Sequence, residues 1–115
     1  DWEWDIKSLD TSSLNFPTGV GGILYPPNSL SKEVLNQDIF MNICPSADDI
    51  WFKAMALYNG TLCKKVETLV ENGSEYIENK SVQFETLSQI NNEQYQNDIQ
   101  FKNVFERYNL YDKLK

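Results

Sequence analysis

Apolar positions fall at helical spacing in two stretches of the chain. Ala47, Ile50, Trp51, Ala54, Met55 and Tyr58 recur at i, i+3, i+4, i+7, i+8 and i+11, which is one stripe of a helix. Ser46 reads as its N-cap, and Asp49 three residues later completes a capping-box pattern. Gly60 reads as the residue that stops it. The pattern predicts a helix over about 47–58. Phe101, Val104, Phe105 and Tyr108 repeat the spacing and predict a second helix over about 91–108. Residues 31–36 and 38–43 read as short helical turns, with Ser31 capping the first.

Elsewhere the apolar runs are short and bounded by turn residues. Ile23-Leu24-Tyr25 lies between a glycine stretch and Pro26-Pro27, and reads as a short strand. Thr61-Leu62-Cys63-Lys64-Lys65-Val66 reads as another. Further strands are expected near 75–77 and 82–87, with a turn at Asn72-Gly73-Ser74. Residues 1–16 read as an irregular or extended lead-in. The expected class is α/β, or α+β for the chain taken alone: a few short strands packed with a central and a C-terminal helix. No repeat and no Pro/Gly-rich linker divides the chain, so 1–115 reads as one domain or a domain fragment.

Composition narrows the function classes. The chain has 115 residues, 41% of them hydrophobic, enough for a small core and too apolar for disorder. A net charge of −7 repels nucleic acid and anionic lipid. No apolar run approaches the roughly 20 residues a membrane helix needs. A start at Asp1-Trp2-Glu3-Trp4 rather than Met suits a processed or excised fragment. Two cysteines, Cys44 and Cys63, suit buried, reduced thiols of a cytosolic protein better than a disulfide staple. Histidine is absent, so no Ser-His-Asp triad, Cys-His dyad or His-based zinc site lies within the chain. Acid–base chemistry falls to carboxylates, Lys or Tyr.

Three features carry the candidate chemistry. Asp48 and Asp49 open the first helix, where negative charge offsets the helix dipole. Ile50-Trp51-Phe52 follow them, and a carboxylate beside an aromatic wall is also a way to hold a sugar and remove a hydroxyl proton. The stretch Thr18-Gly19-Val20-Gly21-Gly22 is neither a dinucleotide fingerprint nor a P-loop. It reads as a tight turn, or as a floor of bare backbone at Gly21 and Gly22 under a ligand ring. Tyr25 and Trp51 read as packing residues or as walls of that pocket. Lys53, four residues past Asp49, reads as a surface ion pair or a ligand contact.

The run Asn15-Phe16-Pro17-Thr18-Gly19-Val20-Gly21-Gly22-Ile23-Leu24-Tyr25-Pro26-Pro27-Asn28-Ser29-Leu30 resembles a segment of bacterial glycosyltransferase-like proteins of capsule and polysaccharide clusters. So do Cys44-Pro45-Ser46-Ala47-Asp48-Asp49-Ile50-Trp51-Phe52-Lys53-Ala54-Met55-Ala56-Leu57 and the tail Phe101–Tyr111. The resemblance implies the C-terminal, acceptor-side half of a GT-A-like domain. The acidic pair is similar to the Glu-Asp motif of inverting family-2 transferases, which would make Asp49 the catalytic base and place Asp48 at the Glu position. Gly21, Gly22, Tyr25, Trp51 and Lys53 would shape the acceptor site. The Asp-x-Asp metal motif is missing from this chain. The nucleotide-sugar and a divalent metal (Mg or Mn) are therefore expected only with a missing N-terminal half, and the isolated chain is expected to be inactive. The implied partner is a glycan acceptor. The implied location is the cytoplasm or the inner face of a membrane. The alternative is a non-catalytic carbohydrate-binding or protein-interaction module derived from that fold.

Overall fold

The computed structural model describes residues 6–19, 22–67 and 95–114. Three helices organise them: α1 (Gln37–Ile43), α2 (Asp48–Tyr58) and α3 (Gln96–Arg107). Single 3-10 turns precede and follow this set, at Lys32–Leu35 and Tyr111–Lys113. Ser31 caps the first turn by accepting the Glu33 N–H, as expected. Asn36 caps α1 through the Ile39 N–H.

α2 is the hub. The sequence predicts one apolar stripe, yet Ile50, Trp51, Lys53, Ala54, Met55, Ala56 and Leu57 are all buried. Such a helix is wrapped on most sides rather than laid on a surface. α3 covers it with Val104 and Phe105, both fully buried. The Phe105 ring stacks on Phe101 at 4.0 Å. Trp51 lies between Phe40 and Tyr108, with ring centroids 5.7 and 5.8 Å away.

Both long helices end the same way. Gly60 takes φ +80° after α2, and Thr61 N–H reaches the Ala56 carbonyl at 2.8 Å. Asn109 takes φ +53° after α3, and Leu110 N–H reaches the Phe105 carbonyl at 2.9 Å. Each is a left-handed residue followed by a bond back to the last turn, the Schellman arrangement.

The start of α2 departs from the expectation. Its N-cap position is Ala47, with no side-chain cap. Ser46 instead pairs with the buried Gln100 of α3: Gln100 Oε1 accepts the Ser46 N–H at 3.0 Å, and Gln100 Nε2 donates to Ser46 Oγ at 2.9 Å. The cap residue is thereby spent on joining two helices.

The expected α/β class is overturned, and with it the C-terminal half of a GT-A-like domain. The described residues form a helical globule without a sheet. Ile23-Leu24-Tyr25 has no strand beside it, and Leu24 is 88% exposed. Pro26 and Pro27 lack the N–H groups that would extend a ladder. From the stretch 61–66, Cys63 alone pairs, in an isolated antiparallel bridge with Ser12. The strands expected near 75–77 and 82–87, and the turn at 72–74, lie outside the described residues.

Candidate functional site

Asp49 sits in the first turn of α2 with its carboxyl turned toward the glycine stretch. Its Oδ1 accepts the Gly19 N–H at 2.9 Å. A Cβ added at Gly19 would lie 3.1 Å from that oxygen, so the approach is close enough to favour glycine. The close-approach role thus falls on Gly19. Gly22 turns the chain instead, with φ +87° and its N–H on the Gly19 carbonyl at 3.0 Å. Gly21 lies outside the described residues.

Burial pushes the Asp49 carboxyl above its ordinary pKa. The Gly19 N–H pulls it back in part, and the charge of Asp48 adds to the rise. Asp48 is exposed, and its Oδ1 accepts the Asp49 N–H at 3.0 Å. A raised carboxyl is a better proton acceptor once ionised, which is the property a general base needs.

Tyr25 lies near enough to the acidic pair for its hydroxyl to feel both charges. Its ring tilts against Phe52 at 5.7 Å. Its hydroxyl is also raised, first by burial and then by the neighbouring Asp49, Cys63 and Asp48. Tyr25 further borders a shallow cleft of about 300 Å³ that runs along Ser29, Leu30 and Val34. Ser29 Oγ is buried without a hydrogen-bond partner among the described residues.

Two expected site residues lie inside instead. Trp51 is 4% exposed, and its Nε1 donates to the Val34 carbonyl at 3.1 Å. It is a core residue with no face to offer a sugar. Lys53 is 3% exposed and forms no surface pair with Asp49. Its Nζ donates to the Ser13 carbonyl at 2.6 Å and to Cys63 Sγ at 3.7 Å. Burial lowers its pKa, and the Cys63 contact opposes that fall.

The assembled surface therefore contains Asp48, Asp49, Tyr25 and Phe52, with Gly19 and Gly22 as backbone. Sequence reasoning missed the part played by Gly19, Ser13 and Cys63. Nothing in the local pattern marks Ser13. Cys63 sits in a short stretch, 61–66, that reads as a strand. Among the described residues no group of three or more Cys, Asp or Glu side chains could hold a metal ion. No helix among the described residues is long and apolar enough to cross a membrane. Comparison with protein-family models, curated proteins and solved structures gives no match.

Proposed function

We propose that the Asp48–Asp49–Tyr25 surface binds hydroxyl groups of a glycan acceptor, and that Asp49 is the general base of a sugar transfer. The observation that carries this is the Asp49 carboxyl. It is anchored through Oδ1 by the Gly19 N–H at 2.9 Å, half-buried, and raised in pKa beside a phenol ring. Anchoring one oxygen fixes the direction of the other. The acceptor hydroxyl would give its proton to Asp49 as its oxygen attacks the anomeric carbon, and the bond to the leaving nucleotide would break with its electron pair. Tyr25 carries a phenol, which keeps its proton at neutral pH, and can donate to a second hydroxyl. The nucleotide-sugar would be held by parts of a longer protein, and the work would be done in the cytoplasm or at the inner face of a membrane. The sequence resemblance supports this reading; the helical fold does not contribute to it.

A second reading follows from the same bond. The Asp49–Gly19 contact ties the glycine stretch to the helix start, which is a structural latch in a carbohydrate- or protein-binding module without transfer. The two readings separate in the full-length protein, assayed for sugar transfer as wild type, Asp49→Asn and Asp48→Asn. General-base loss should lower the rate by about 10²–10⁴-fold in Asp49→Asn, with a smaller effect in Asp48→Asn. Full activity in both variants would refute the base assignment and leave the latch.

A further inference from the structure

The turn that follows Tyr25 is fastened to the end of α2 by two side chains. Asn59 Nδ2 donates to the Asn28 carbonyl at 2.9 Å and to Thr61 Oγ1 at 3.0 Å. Thr61 Oγ1 in turn donates to the Ser29 carbonyl at 2.6 Å. Two residues on, the Ser31 N–H reaches the Met55 carbonyl of α2 at 3.2 Å. Asn28 itself stands at φ +63°, in the left-handed region that asparagine tolerates better than most residues. The clasp fixes Asn28 and Ser29, which help to line the cleft beside Tyr25.

Asn59 supplies both donor hydrogens of its amide to this clasp, and Gly60 follows it. An asparagine before a glycine is chemically labile. The next backbone nitrogen can attack the side-chain amide carbon, and with glycine no Cβ stands in the way. Asn59 and Gly60 are both exposed, so water reaches them. In the fold, however, both reacting nitrogens are engaged. The Gly60 N–H donates to the Leu57 carbonyl at 2.9 Å, and the departing Nδ2 is held by Asn28 and Thr61.

We propose that Asn59 is a deamidation site, that the closed clasp slows its conversion, and that conversion opens the clasp. The Gly60 nitrogen gives its proton to solvent base and bonds to Asn59 Cγ. The bond from Cγ to Nδ2 breaks with its electron pair, and ammonia leaves with a proton taken from water. Water then adds to a carbonyl of the resulting succinimide, the ring bond to nitrogen breaks, and an aspartate or isoaspartate remains. Its carboxylate accepts hydrogen bonds and donates none. It faces the Asn28 carbonyl, which is also an acceptor, so that bond is lost. The single Thr61 hydroxyl hydrogen can turn to the carboxylate only by leaving Ser29.

The full chain is incubated at neutral pH, folded and in guanidinium, and the peptide containing Asn59 is followed by mass spectrometry. Conversion should be about tenfold slower in the folded chain, because hydrogen bonds at both nitrogens must open first. Thr61→Val removes the hydroxyl and keeps the shape, and should bring the folded rate toward the unfolded one. Asn59→Asp reproduces the product. Hydrogen exchange of its Ser31 amide should be about tenfold faster than in wild type, while the Leu110 amide at the end of α3 keeps its wild-type rate. A wild-type rate that is the same folded and unfolded overturns the proposal, as does a Ser31 amide unchanged in Asn59→Asp. If Asn59→Asp does not fold, Ser31 exchange in Thr61→Val decides in its place.

Discussion

The carboxyl of Asp49 reaches back thirty residues along the chain and accepts the backbone N–H of Gly19 at 2.9 Å. This bond joins the start of the central helix to the glycine stretch, and it sets the geometry of the proposed site. Asparagine keeps an oxygen that can accept the same N–H; alanine does not. Asp49→Asn should change stability by about 0.5 kcal/mol or less, whereas Asp49→Ala should cost about 1–2 kcal/mol by losing the bond. Thermal melts of the two variants measure the difference.

The raised Asp49 pKa makes a pH prediction of definite sign. The folded protein holds the Asp49 proton more tightly than the unfolded chain does, where the carboxyl titrates near 3.8. The stabilisation from the protonated form is therefore fully present below about 3.8 and is lost as pH rises through the raised folded value. Relative to Asp49→Asn, which does not titrate, wild type should lose stability as pH climbs above that point. Urea denaturation of both proteins from pH 3 to pH 7 tests this.

Gly60 ends α2 at φ +80°, and an added Cβ would meet nothing within 4 Å. The cost of a side chain there is conformational alone. Gly60→Ala should destabilise by about 1–2 kcal/mol, the penalty of a left-handed backbone for an L-residue. A melt that does not move would show that the α2 terminus is not held as described.

Gln100 is 2% exposed and holds Ser46 through both its amide oxygen and its nitrogen. Gln100→Leu keeps most of the volume but strands the Ser46 N–H. Its loss should be about 1–3 kcal/mol, the range for a buried polar group left unpaired. Chemical denaturation gives the value, and Ser46→Ala should cost less, because it leaves the backbone bond in place.

The helices were legible in the sequence and the strands were not, for a physical reason. The stripe from Ala47 to Tyr58 and the Phe101–Tyr108 repeat are local signals, and α2 and α3 fall on them. A strand needs a partner, and no local pattern shows that Ile23-Leu24-Tyr25 has none among the described residues. Ser46 was readable as a cap by residue type, but its bond to Gln100 spans 54 positions and depends on how α3 docks. The stripe also could not show that Lys53, off the apolar face, would be buried against Ser13 and Cys63. Trp51 beside an acidic pair suggested a sugar platform; the indole is consumed by the core. What remains of the site read from sequence is Asp48, Asp49, Tyr25 and the turn at Gly22.

Glycan binding at Asp49 is the central claim, and an NMR titration of the chain with neutral oligosaccharides tests it most directly. Saturable shifts should appear at the amides of Gly19, Gly22, Tyr25, Asp48 and Asp49, and should vanish in Asp49→Asn while its spectrum stays folded. The absence of shifts at these amides across the oligosaccharides, or shifts that persist unchanged in Asp49→Asn, would contradict it.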